Sequence, residues 1–151
     1  MINVEHTTTL AASIDDVWAE LSQYDRVLNW IPYGRESTIE ITGEGIGMIR
    51  DLHLADLGYV QHRLDIMDHD KKEIGYTLTG GLPLGMKNYS MVASLSPLDG
   101  EKCVISWRGR MEGDGSQDEA EIAAGLLNAV VKMTEGLEAA SKGAPSPHYP
   151  T

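Results

Sequence analysis

"HRLDIMDHDKKEIGYTLTGGLPLGMKNYSMVASLSP" (residues 62–97) holds three runs in which apolar and polar side chains alternate. The first run begins just upstream, at Tyr59. It sends Val60, Leu64 and Ile66 to one face and Gln61, Arg63 and Asp65 to the other. The second gathers Ile74, Tyr76 and Leu78, and the third gathers Tyr89, Met91, Ala93 and Leu95. A period of two is that of a strand, and polar opposite faces are those of an antiparallel sheet with one packed side and one wet side. The polar turn at 69–72 is short enough for its flanking strands to pair. "GGLPLG" (80–85) is a longer loop whose glycines admit unusual dihedrals and whose proline stiffens one point. His62 shares the apolar face with Val60 and Leu64, which raises the question of what a titratable ring faces there.

The same period continues outward. "INVEHTTTL" (2–10), "STIEIT" (37–42) and "MIRDLHL" (48–54) read as strands. So does "KCVISWRGRM" (102–111), which puts Cys103, Ile105, Trp107 and Met111 on one face. Arg50 shares the face of Met48 and Leu52. Two short helices interrupt the series after the first strand. "SIDDVWAELSQY" (13–24) has Ser13 as a good N-cap, with Val17 and Leu21 on one helical face, and a second turn over 25–30 ends before Pro32. Beyond residue 115 the period changes to three and four. Ser116 and Glu119 form an S-x-x-E capping box, and Ile122, Leu126, Val130, Met133 and Leu137 mark one helix over 117–141, roughly 35 Å long at 1.5 Å per residue.

The expected fold is therefore α+β: a curved seven-stranded antiparallel sheet wrapped round a long C-terminal helix, with two short helices after strand 1. Residues 1–141 are expected to form a single ligand-binding domain, and 142–151 a flexible Pro-rich tail. Only the long helix is large enough to cover the packed face. A strongly curved sheet is not filled by one helix, so a cavity is expected between them.

Composition narrows the function. Twenty-three acidic residues against twelve basic ones give a formal net charge of −11. That argues against a nucleic-acid partner, which needs cations to displace counterions from phosphates, and against an anionic membrane surface. No stretch approaches the ~20 apolar residues of a membrane span. No basic-then-apolar leader is visible, and the single cysteine, Cys103, has no partner in the chain, so a cytoplasmic location is expected. Phenylalanine is absent, while seven methionines, six tyrosines and three tryptophans supply bulk, most of it flexible or carrying a polar handle.

The segments "SIDDVWAELSQYDRVLNWIP" (13–32) and 62–97 together resemble the SRPBCC or START-like superfamily, the Bet v 1-like helix-grip proteins. The nearest resemblance is to the bacterial polyketide cyclase/dehydrase-like group, with similarity to the plant abscisic-acid receptors. It rests on the Arg-Leu-x-Ile-x-Asp strand, the Gly-Gly before the loop and Lys-Asn-Tyr after it, and spans roughly residues 2–140. The resemblance implies an internal cavity for an apolar or aromatic molecule, with loops 55–58 and 81–86 at its mouth. His62 falls where the receptors carry a cavity-facing glutamate. Tyr89 falls on a cavity tyrosine, Arg50 on an arginine near the mouth, and Leu126 and Val130 on lining positions of the helix. "RVLNWIP" (26–32) lacks the receptors' ligand-carboxylate lysine, and the two loop sequences differ, so hormone recognition and the phosphatase partnership are not implied.

Candidate roles follow. His62 offers a donor and an acceptor and is a candidate general acid or base; its bland alternative is a ring satisfied by a neighbouring tyrosine or backbone group. Arg50 on an apolar face needs a carboxylate, a ligand anion or a watery opening. An ion pair at the sheet's end is expected; an Arg50 that reached the cavity would hold a carboxylate or stabilise an enolate. Tyr89 is the third catalytic candidate. Ligand contacts are expected from Tyr76, Met91, Trp107, Leu52, Leu64, Leu84, Leu126, Val130 and Trp30, each of which could equally be packing. No metal site is expected: His53 and His69 lie apart, and there is no H-x-H, HExxH or cysteine cluster. No G-x-S-x-G elbow marks a serine nucleophile, and "GEGIG" (43–47) opens no helix and so is no phosphate cradle; no cofactor is expected.

These residues point to a hydrophobic, aromatic or polycyclic oxygenated small molecule as partner. The expected activity is cofactor-independent acid/base chemistry of cyclase, dehydratase, isomerase or lyase type. The alternative is a non-catalytic carrier or sensor. A homodimer stays open.

Overall fold

The alternating runs do form strands. The computed structural model describes residues 1–81 and 83–147; Leu82 of the expected loop and 148–151 of the expected tail lie outside the described residues. β1 is Ile2–Leu10, β2 Thr38–Thr42, β3 Ile49–Leu54, β4 Gly58–Asp68, β5 Glu73–Gly80, β6 Met86–Pro97 and β7 Cys103–Gly113. They make one antiparallel sheet in the order β1-β7-β6-β5-β4-β3-β2. The first two strands in the chain are thus the two edges. The segment between them crosses from one edge to the other, and it contains α1 (Ile14–Leu21) and two 3₁₀ turns, Tyr24–Asn29 and Gly34–Glu36.

Ser13 caps α1 by accepting the Asp16 N–H at 3.2 Å, and Val17, Trp18 and Leu21 are buried. The second expected helix is the first 3₁₀ turn rather than an α-helix. Its backbone breaks from helical angles at Arg26, and Pro32 prevents further winding.

α2 is Glu119–Ser141 and packs on β1, β7 and α1. Its start differs from the expected capping box. Asp118 is the N-cap and accepts the Ala120 N–H at 3.1 Å. Ser116 turns back to Asp114, while the Glu119 carboxylate accepts the Gly113 N–H at 3.0 Å. The orphan donors here belong to the preceding strand end as much as to the helix, so the two residues serve separate partners.

Gly136 is buried on α2 because Trp30 comes so close. A Cβ there would lie 1.9 Å from the Trp30 carbonyl oxygen. That approach locks the first 3₁₀ turn to the helix. Nearby, the Trp30 and Trp107 rings sit 6.4 Å apart and fill this part of the interior.

The parity of β4 changes partway along. Leu64 pairs with Tyr76 and Ile66 with Gly75, so Asp65 is an extra residue. One inserted residue moves later side chains to the opposite face. Met67 therefore packs on the core where alternation assigned that place to Ile66, and Ile66 lies across Gly75. A second irregularity, between Gln61 and His62, leaves Thr79 of β5 unpaired beside His62. Among the described residues no helix is long and apolar enough to cross a membrane.

Candidate functional site

The interior left open by α2 and the tryptophans is a cavity of about 110 Å³. Leu52 of β3, Val60 of β4 and Leu126, Ala129 and Met133 of α2 supply apolar wall. Ile31 and Pro32 close one side. Asp56 and Leu57 of the β3–β4 loop, with Pro83 and Leu84 of the β5–β6 loop, also line it. Both loops expected at the mouth thus contribute. Leu84 holds a left-handed backbone (φ 57°), strained for a leucine, and its side chain lies over Gly125 of α2.

One end of the cavity is polar. Arg50 and His62 face each other across the β3–β4 ladder, in direct register, and both side chains are buried. One terminal nitrogen of Arg50 donates to His62 Nδ1 at 3.0 Å; the other donates to the Tyr24 carbonyl at 3.0 Å. The guanidinium lies 3.9 Å from the Tyr24 ring centroid and 5.2 Å from that of Tyr76. The His62 and Tyr76 rings are 4.6 Å apart, and the Tyr76 and Tyr89 hydroxyls share a hydrogen bond of 3.2 Å.

The expected ion pair at Arg50 is absent. Among the described residues its partners are neutral: a carbonyl, an imidazole nitrogen and two aromatic faces. Three ion pairs, Arg63–Asp65, Lys87–Glu112 and Lys142–Glu138, lie at solvent-accessible side chains. Parity told that Arg50 points inward but not what it meets. Its nearest ring, Tyr24, comes from the 3₁₀ turn, 26 residues away in sequence, and no spacing signals it.

Protonation states follow from these contacts. Arginine cannot accept a hydrogen bond, so His62 Nδ1 is the acceptor and, in the neutral ring, Nε2 carries the proton. Burial first, and the Arg50 charge second, hold the His62 pKa well below 6.5. The ring is therefore neutral at pH 7 and presents an Nε2–H donor. Burial raises the Tyr76 pKa, raises that of Tyr89 well above 10 and pushes that of Tyr24 up to about 12, so all three stay protonated. Burial lowers the Arg50 pKa, but a guanidinium is not deprotonated in proteins. The polar end is thus built of hydrogen-bond donors around one fixed positive charge.

The cavity brings together His62, Arg50, Tyr89, Tyr76, Leu52, Leu84 and Leu126. Met91, Trp107, Val130 and Trp30 are buried but sit in the packed interior rather than on the cavity wall, and Leu64, equally buried, lines a separate hollow beside Tyr24 and Met48. Met91 is committed to Gly109, where a Cβ would come within 2.9 Å of its methyl. Sequence reasoning missed Ala129 and Met133. The three-residue and four-residue steps from Leu126 to Ala129 to Met133 carried that signal, a second helical stripe beside Ile122 and Val130. Among the described residues no group of His, Cys, Asp and Glu could hold a metal ion.

Structure comparison finds the same architecture in several proteins of low sequence identity. The protein XoxI from Bacillus cereus superposes with a TM-score of 0.81 at 17% identity, covering 94% of this chain and 96% of its own. An uncharacterised protein from Bacillus thuringiensis gives 0.79 at 17%, covering 93% and 99%. Norcoclaurine synthase from Thalictrum flavum, in complex with dopamine and hydroxybenzaldehyde, gives 0.68 at 19%, covering 91% and 84%. No curated protein matches the sequence significantly. The family described as "Polyketide cyclase / dehydrase and lipid transport" matches over residues 1–142, and the chain belongs to that family.

Proposed function

We propose that the protein takes a small, mainly apolar, oxygen-bearing molecule into the cavity and performs cofactor-independent proton-transfer chemistry on it. The observation that carries this reading is the convergence of His62, Tyr76, Tyr89 and Arg50 at one end of an otherwise apolar hollow. A ligand carbonyl seated there meets only donors. Negative charge developing on its oxygen is stabilised by groups already in place, in a site that excludes water. An enolate is the common intermediate of aldol-type cyclase, β-eliminating dehydratase, keto–enol isomerase and retro-aldol lyase reactions. His62 acts through Nε2 as donor or acid; its other nitrogen is occupied, so it is not the base. Asp56 is the one carboxylate among the described lining residues, and we assign it the base.

Size favours a monocycle. An engineered cavity of roughly 150 Å³ takes up benzene, and this one is about 110 Å³, so a single ring suits it better than a polycycle. That norcoclaurine synthase, a likeness of fold alone, holds single-ring aromatic compounds is consistent with this scale.

A non-catalytic carrier or sensor is the second reading. One observation favours it: none of the four inner polar groups is a base in its stated protonation state. Exchange of the methyl protons of acetophenone with D₂O, followed by proton NMR, separates the two. Under the enzyme reading exchange exceeds that of buffer alone and is lost in His62→Ala and Asp56→Asn. Binding of acetophenone without exchange identifies a carrier.

A further inference from the structure

We infer that the natural ligand carries a carboxylate, seated on Arg50 at the inner end of the cavity. This rests on the reading of the hollow as the binding site and narrows it to an anionic ligand class.

Arg50 is a cation with 4% of its surface exposed. A guanidinium has five N–H donors. Two are used, on the Tyr24 carbonyl and on His62 Nδ1, so three remain. One of these, Nε–H, is fully buried and has no protein acceptor among the described residues. Taking a charge out of water is costly unless an opposite charge and hydrogen bonds compensate. The faces of Tyr24 and Tyr76 offset part of that cost and cannot accept the remaining N–H groups in plane. Elsewhere among the described residues Asp and Glu side chains pair with cations at the surface, yet none comes within ion-pair distance of Arg50.

A ligand carboxylate repairs the charge deficit. It supplies the missing charge and up to four lone-pair sites, and its plane matches the guanidinium fork. The surrounding groups are selective in the same sense. The His62 Nε2–H lies on the other side of the ring from the Nδ1 that takes the Arg50 N–H. Only one of the Tyr76 and Tyr89 protons is used in their mutual bond. An ammonium head would set its charge against that of the guanidinium. Inorganic phosphate or sulfate would match the charge but leave the apolar wall of Leu52, Val60 and Leu126 without a partner. A single ring or short apolar chain bearing one carboxylate on Arg50, with its reacting carbonyl on the neighbouring His62 and tyrosine donors, satisfies both ends. The net charge of −11 opposes the approach of any anion, so selection occurs in the cavity and not by long-range attraction. Salt, which screens exposed charges far more than buried ones, should therefore leave affinity largely intact.

The test is calorimetric titration of the full chain at pH 7 with benzoate, its neutral isostere benzamide and sodium phosphate, repeated on Arg50→Met and Arg50→Lys. The expected result is benzoate at least tenfold tighter than benzamide and no binding of phosphate. Arg50→Met should erase the preference to within twofold, and Arg50→Lys should keep part of it. Benzamide binding as tightly as benzoate overturns the inference and leaves the cavity reading standing. Phosphate competing fully with benzoate overturns the requirement for an apolar body. If neither aromatic binds, the cavity reading and this inference fall together. The comparison of benzoate with benzamide on the unmodified chain stands even if Arg50→Met does not fold.

Discussion

Arg50 donates to Nδ1 of His62 at 3.0 Å from the neighbouring strand, and this fixes both the charge and the tautomer of the imidazole. A histidine placed this way among donors is an electrophile rather than a base. The consequences are measurable.

Stability should fall as the pH drops below about 6.5. The folded-state His62 pKa is depressed by burial and by Arg50. Above the unfolded value of ~6.5 both states are neutral there and the group has no effect. Below it the unfolded chain takes up a proton that the folded ring refuses, and the folded state loses up to ~1.4 kcal/mol per pH unit for that one proton. Thermal melts between pH 7 and pH 5 should therefore slope more steeply for the wild type than for His62→Gln, which has no ionisable ring. Parallel slopes would show that His62 titrates normally in the fold.

Replacing Arg50 by Met should cost less stability than breaking a buried ion pair, which typically costs about 3–5 kcal/mol. No stranded carboxylate is left behind, only the Tyr24 carbonyl and His62 Nδ1, so a loss of about 1–3 kcal/mol is expected. The His62 pKa should rise in this variant yet remain below 6.5, because burial, the larger cause, persists. Urea denaturation and an NMR titration of the imidazole check the two halves of the prediction.

The Tyr76–Tyr89 hydroxyl pair should behave non-additively. Either Tyr→Phe change leaves a buried hydroxyl without its partner and should cost about 1–3 kcal/mol. The double variant removes both and should cost clearly less than the sum. Strict additivity in a double-mutant cycle would mean that the 3.2 Å bond contributes nothing.

Two glycines on α2 should respond oppositely to the same change. Gly125→Ala meets only Leu84 methyl groups at 4.0 Å and should gain up to about 1 kcal/mol of helix propensity. Gly136→Ala places a methyl 1.9 Å from the Trp30 carbonyl oxygen and should lose about 1–3 kcal/mol by overpacking. Paired denaturation curves check the signs.

Much of this was legible in the chain. Alternation located β4, β5 and β6 and put Arg50, His62, Tyr76 and Tyr89 on the inner face. The three-and-four spacing from Ile122 to Leu137 gave the long helix. Parity, however, assigns a face and not a depth. It could not distinguish Tyr89, on the cavity wall, from Met91, buried over Gly109. An inserted residue is invisible to it as well, which is why Ile66 and Met67 exchange roles beyond Asp65. Tyr24 reaches Arg50 only through the crossing segment, a long-range meeting that no local pattern encodes.

The most direct measurement is a long-range ¹H–¹⁵N correlation spectrum of the His62 imidazole at pH 7. A neutral ring protonated at Nε2 is expected, with that nitrogen shifting when benzoate is added. An imidazolium, or a ring protonated at Nδ1, would mean that Arg50 does not hold it, and the donor-lined cavity end described here would not exist.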